Sequence, residues 1–140
     1  MLAGVLALIA AALFAGAAVY VGAAEHPARL STDEASALRH WKPSYPRAAA
    51  MQGSLVLVAA VLGLAAAWQT GDWRWVAGMV LILANVPWTL IALMPTNRRL
   101  QAMPASATDA RPLLRRWGRL HAARTVLGLA AVAMYAWPLA

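Results

Sequence analysis

Hydrophobic residues occupy this chain in four long runs, at residues 2–24, 51–69, 75–94 and 114–138, and polar residues gather between them. Each run is close to the ~20 apolar residues that a helix needs to cross a hydrocarbon core about 30 Å thick. None alternates with the period of two expected of a half-buried strand. The pattern therefore predicts an all-α protein: one transmembrane domain, built as a four-helix up-down-up-down bundle, with loops over 25–50 and 95–113. The first run, Leu2–Ala24, carries no charge. It lacks the basic start of a secretory signal and is longer than a typical signal core, so it reads as a retained span.

The polar stretches set the expected boundaries. In Glu25–Ala50, each of Pro27, Pro43 and Pro46 disfavours helix in the residue before it, so the first helix should end or be interrupted near His26. Ser31 or Thr32, followed by Asp33 and Glu34, is placed to cap a short helix through Leu38 or His40. Trp41 and Tyr45 read as interfacial anchors. Gly71 and Asp72 form the corner of a tight turn that makes the second and third helices antiparallel neighbours. Ala59, Gly63 and Ala67 recur every four residues, a stripe that lets another helix approach closely. Pro87 frees the Leu83 carbonyl and predicts a kink beside Asn85, the one polar residue at the centre of the third run.

Composition reinforces the membrane reading. Of 140 residues, 62% are hydrophobic and 12% charged, against roughly 25% charged in soluble domains. The absence of cysteine removes disulfides and thiolate chemistry. The net charge of +7 would suggest nucleic acid in a soluble domain. Here the basic residues flank apolar runs, where they set topology and meet anionic headgroups, so the expected partners are the lipid bilayer and a hydrophobic small molecule, with no nucleic acid. Arg29, Arg39, Lys42 and Arg47 lie in the first interval and Arg98, Arg99, Arg111, Arg115, Arg116 and Arg119 in or near the third, but only Arg74 near the second. The positive-inside rule then puts the first and third loops in the cytoplasm and both termini outside, in a bacterial inner membrane or its equivalent. A homo-oligomer is compatible with the small-residue stripe.

Candidate chemistry emerges when polar residues are sorted by depth. Glu25 and His26 end the first run, Gln52 begins the second, Asn97 follows the third, and His121 and Arg124 begin the fourth. Four helices each offer a polar group at one end of the bundle, and His121 and Arg124, three residues apart, share a helix face. Ionisable groups at such depth usually face a bundle interior or a wet cavity. His121, Arg124, His26 and Glu25 are therefore the catalytic candidates, and Asn97, Asn85, Trp88 and Gln52 the substrate-contacting ones. His26 and His121 with Glu25 would be chemically sufficient for a transition metal, although no local ligand motif is present. A Glu25–Arg124 pair would either lock the first helix to the fourth or hold a substrate anion. Asn85 is also a natural interhelical hydrogen-bonding residue, and Trp88 either walls an aromatic pocket or faces lipid.

The order of motifs carries a resemblance. EHPARL after the first run, WKPSYPRAAAMQ leading into the second, NVPWTLIALMPTNRRL closing the third and RWGRLHAARTVLG opening the fourth resemble the anthrone-oxygenase-like family of small membrane proteins. The resemblance covers nearly the whole chain, most specifically Met94–Leu100 and Arg116–Thr125. It implies a four-helix membrane bundle and, by the chemistry associated with a few members, oxidation of anthrones to anthraquinones by O2 without flavin or haem. On that reading a phenolic substrate enters between helices from the bilayer, His121 or His26 removes a proton, and Arg124 stabilises the anion. Two other classes stay open. A non-catalytic binder of lipid, quinone or another hydrophobic ligand needs a cavity open to lipid but no base. A structural subunit would show its ionisable groups tied into saturated pairs.

Overall fold

The computed structural model describes residues 1–140 and is helical almost throughout, with no strand. Four helices, α1 (Leu2–Leu30), α2 (Glu34–Thr70), α3 (Trp73–Ala102) and α4 (Arg111–Leu139), are each long and apolar enough to cross a membrane. They pack in a ring in which each helix lies against its two neighbours in chain order, α4 closing on α1. The connections are short, at residues 31–33, 71–72 and 103–110. Asp33 caps α2 by accepting the Ser36 amide at 2.9 Å, and Asp72 caps α3 by accepting the Arg74 amide at 3.0 Å. Gly71 ends α2 with φ +69°, a left-handed conformation that glycine adopts without strain.

The helices extend well beyond the apolar runs. Residues 25–50, expected as a loop broken by prolines, are helical except around 31–33, and Asp33 rather than Ser31 or Thr32 caps a helix that continues to Thr70. Tertiary partners explain the continuity. Pro46 leaves the Lys42 carbonyl without its helical donor, and the Gln101 side chain supplies one at 3.2 Å. Pro27 and Pro95 are each preceded by a single wide π-turn, at Val21–Glu25 and Thr89–Leu93. The wider turn relieves the clash between a proline ring and the carbonyl four residues back, so both helices continue. Pro87 follows a turn at Ala84, across which helical bonding continues, Ala84 N–H donating to Val80 at 2.9 Å and Trp88 N–H to Ala84 at 3.2 Å. Packing of α3 on α2 is closest over Trp73–Leu83, loosens over the next turns and returns at Met94–Ala102, while the whole segment beyond Leu83 stays against α4.

Two apolar clusters form the core. One joins Ala7, Phe14, Val56, Ala59, Trp75, Ile82 and Tyr135 at the loop 71–72 end, and the other joins Val21, Leu38, Trp41, Leu93, Leu100, Leu114 and Trp117 at the basic end. Tyr135 is fully buried, wedged against Gly63 and Gly78, with its hydroxyl donating to the Ala59 carbonyl at 3.0 Å. Part of the small-residue stripe is thus filled from within the bundle. Outward-facing Leu57, Val61, Leu64, Val80, Ile91, Val126 and Leu129 are exposed, a surface suited to lipid rather than water. On α2, α3 and α4 a gap separates the two clusters and holds Gln52, Asn85, His121 and Arg124, while His26, Arg29, Thr96 and Asn97 are buried alongside the second cluster.

Candidate functional site

Among the buried polar side chains, Arg29 is the best-partnered charge. It pairs with Glu25 one turn earlier and donates to Ser44 Oγ at 3.1 Å, His40 Nδ1 at 2.9 Å and His26 Nδ1 at 2.9 Å. A guanidinium only donates, so His26 Nδ1 must be the bare nitrogen. His26 Nε2 lies 2.9 Å from the Leu114 carbonyl, which only accepts, so Nε2 carries the proton. Both ring nitrogens of His26 are therefore committed, one to α4 and one to Arg29. The expected Glu25–Arg124 pair is absent, because Arg29 sits four residues from Glu25 on the same helix and reaches it first.

His121 and Arg124 are placed differently. His121 Nε2 donates to the Ala18 carbonyl at 3.1 Å, fixing the tautomer and leaving Nδ1 as a bare nitrogen with no protein partner. Its ring stacks on Trp117 at 5.0 Å between centroids. Trp117 also meets His26 at 5.0 Å and the edge of Trp41 at 6.0 Å, and Trp41 stacks on Tyr45 at 5.0 Å. Arg124 is 7% exposed, has no carboxylate partner, leaves Nε without an acceptor and lies 5.5 Å above the Phe14 ring.

These groups line one cavity. Glu25 and Arg29 of α1, Trp41, Ser44, Tyr45 and Gln52 of α2, and Trp117, His121 and Arg124 of α4 surround about 20 Å³ of free space, room for about one water-sized molecule. Eight buried side-chain polar atoms in the protein lack a protein partner, and five belong to this lining: Trp41 Nε1, Gln52 Oε1, Trp117 Nε1, His121 Nδ1 and Arg124 Nε. Buried polar groups are normally paired, so their concentration here marks a place built to meet polar atoms. A second, apolar-walled crevice of about 140 Å³ lies on the outer side of Arg124, between α2 and the loosened part of α3, and holds Asn85 and Thr89.

The predicted residues sort accordingly. Glu25, Gln52, His121 and Arg124 meet at the cavity, and His26 stands behind Trp117 with no free nitrogen. Asn85 lines the outer crevice. Asn97 donates to the Tyr45 hydroxyl at 2.8 Å and so orients a cavity residue. Trp88 lines neither space; its Nε1 donates to the Leu120 carbonyl at 2.9 Å and ties α3 to α4. The metal set of His26, His121 and Glu25 does not assemble: His26 spends both nitrogens and Glu25 turns to Arg29, and no three His, Cys, Asp or Glu side chains converge as ligands. Arg29, Trp41, Tyr45 and Trp117 were not singled out as site residues. Arg29 had a signal, its spacing of three and four from His26 and Glu25, but its charge reads equally well as a topology marker. Trp41, expected as an interfacial anchor, is fully buried.

Residues 41–134 match the sequence profile of the family described as Anthrone oxygenase. The stretch takes in Trp41, Tyr45, Gln52, Trp117, His121 and Arg124. The chain belongs to the anthrone oxygenase family. An anthrone oxygenase of Claviceps purpurea (strain 20.1) is 33% identical over 146 residues, covering 93% of this chain and 84% of its own length. No solved structure matches. The match begins at Trp41, so Glu25, His26 and Arg29 lie outside it, while the relative's alignment spans most of the chain.

Proposed function

We propose that this protein is a membrane-embedded oxygenase that converts the ring methylene of a hydrophobic, anthrone-like phenol to a carbonyl, using His121 and Arg124. The observation that carries the reading is the pairing of an uncommitted imidazole nitrogen with an unpaired guanidinium at one buried cavity. Family membership supports the reaction class.

The chemistry follows from what each group offers. His121 Nδ1 takes one methylene proton, and the negative charge spreads onto the substrate oxygen across the ring. Arg124 donates to that oxygen in a site of low dielectric, where such a contact counts for more than in water. The electron-rich carbon bonds to O2, and the proton returned from His121 gives a hydroperoxide. Removal of the second carbon-bound proton expels water as the O–O bond breaks and the carbonyl forms. One O2 enters, one water leaves, and all four electrons come from the substrate carbon, so no external reductant is needed. Trp41, Tyr45 and Trp117 wall the site and exclude water, and Arg29, held by Glu25, His26, His40 and Ser44, fixes α1 against α2 at its edge. The topology that fits the basic residues places this end of the bundle towards the cytoplasm of a bacterial inner membrane, with both termini outside.

The test is O2 consumption by the purified protein in lipid nanodiscs with anthrone, corrected for spontaneous oxidation in empty nanodiscs. His121→Phe keeps the ring stacked on Trp117 and removes the base. It should lower the protein-dependent rate at least a hundredfold, since positioned acid–base catalysis contributes about 10²–10⁴. A rate unchanged in that variant refutes His121 as the base, and no protein-dependent rate in the wild type refutes the oxygenase.

A further inference from the structure

The inner cavity is too small to hold the whole of a fused-ring substrate, and a second space shares Ala49 and Arg124 with it in its lining. Just beyond Leu83, α3 loosens from α2 while remaining on α4, where Trp88 ties it to the Leu120 carbonyl. The opening is the crevice lined by Ala49, Gly53 and Val56 on one side, Asn85, Val86 and Leu90 on the other, and Arg124 at its base. Its mouth lies among exposed apolar side chains, Leu57, Val86 and Leu90. Gly53 is exposed at the rim, and a Cβ added there meets no atom within 4 Å, so a longer side chain has room to reach over the opening. Inside, Asn85 is 1% exposed and spends its amide nitrogen on the Ile82 carbonyl at 3.0 Å, which leaves Oδ1 buried with no partner in the crevice wall.

We infer that this crevice is a ligand site open to the bilayer: a planar apolar phenol enters sideways between α2 and α3, past Gly53, and donates its hydroxyl to Asn85 Oδ1 with another oxygen towards Arg124. The occupant follows from the walls. An apolar mouth at membrane depth selects a lipid-dissolved molecule over a water-soluble one. An amide oxygen oriented by its own nitrogen selects a hydroxyl donor, because leaving it unpaired in an apolar wall costs free energy. Asn85 thus sets specificity, and Gly53 is the threshold whose lack of a side chain keeps the site open. The identification of this phenol as a substrate rests on the proposed oxygenase; the existence of the site does not.

The experiment measures binding of radiolabelled 1-naphthol, which has no methylene to oxidise, to protein-loaded nanodiscs corrected for empty ones, with naphthalene as the hydroxyl-free comparison. Gly53→Leu should fill the crevice and weaken 1-naphthol binding at least tenfold. Gly16→Leu, another exposed helix position where an added Cβ meets nothing, should leave it unchanged. Asn85→Leu should reduce the preference for 1-naphthol over naphthalene about fivefold, the worth of one hydrogen bond. Undiminished binding in Gly53→Leu, or an unchanged preference in Asn85→Leu, overturns the site. If binding responds as expected while the wild type shows no anthrone oxidation, the crevice stands and the oxygenase reading falls.

Discussion

Replacing Arg124 with methionine should lower activity and raise stability together. Arg124 is almost fully buried, without a carboxylate, with Nε unpaired and its guanidinium 5.5 Å from the centre of the Phe14 ring. Holding an uncompensated cation there costs several kcal/mol relative to an apolar side chain of similar length. Methionine retains the packing stem and adjusts its shape to the gap. Allowing for part of the cost being relieved by polar neighbours in the cavity, a gain of about 1–3 kcal/mol is expected. The catalytic effect has the opposite sign. Removal of one preorganised donor to a developing oxyanion typically costs about 10²–10³ in kcat. The assay pairs chemical unfolding in detergent, followed by tryptophan fluorescence, with anthrone-dependent O2 uptake. If Arg124→Met unfolds more readily than the wild type, Arg124 is a structural tie. If the rate stays within tenfold, Arg124 is not the anion-stabilising group.

Three further expectations follow from geometry away from the reacting groups. Gly118→Ala places a methyl 2.7 Å from His26 Cδ2 and 2.9 Å from Nε2, so the ring must leave the Leu114 carbonyl; the variant should lose about 1–3 kcal/mol, whereas Gly22→Ala, where the added carbon meets nothing, should be neutral in the same unfolding assay. Tyr135→Phe keeps the wedge against Gly63 and Gly78 but leaves the Ala59 carbonyl without its side-chain donor, at a cost of about 1 kcal/mol, with no change in O2 uptake. Asp33 is held below its usual carboxylate range by hydrogen bonds from Ser36; because the folded state favours the charged form, its contribution is present at neutral pH and lost as pH falls through that lowered value. The stability difference between wild type and Asp33→Ala should therefore shrink on acidification, and a difference constant with pH would show that the cap does not depend on the carboxylate.

How far the sequence foretold this arrangement depends on the range of the interactions involved. The four helices were legible because each apolar run satisfies a local length requirement, and the corner at Gly71 and Asp72 because left-handed glycine and a capping aspartate are local devices. The helical course of residues 25–50 was not, because proline rules consider one helix alone, whereas the Lys42 carbonyl is satisfied by Gln101 from another helix. The depth of Glu25, Gln52, His121 and Arg124 was readable, and so was the shared face of His121 and Arg124. Their pairing was not: Glu25 had two arginines to choose from, and only the structure showed Arg29 saturated and Arg124 free. A structural subunit would saturate both arginines, and here one is left facing a cavity. The aromatic wall was hidden because tryptophan and tyrosine near a predicted membrane boundary read as anchors, and Trp117 gave no sign of stacking on His121.

If this buried pair directs O2 onto a substrate carbon, the oxygen of the new carbonyl carries the isotope of the gas. Wild-type protein in nanodiscs is given anthrone under ¹⁸O2, and the product is analysed by mass spectrometry within a few turnovers, beside His121→Phe and empty nanodiscs. One ¹⁸O atom is expected in the new carbonyl, with one O2 consumed per product and the protein-dependent rate lost in His121→Phe. A carbonyl oxygen drawn from water, or labelled product forming no faster than in empty nanodiscs, would contradict that role of the pair.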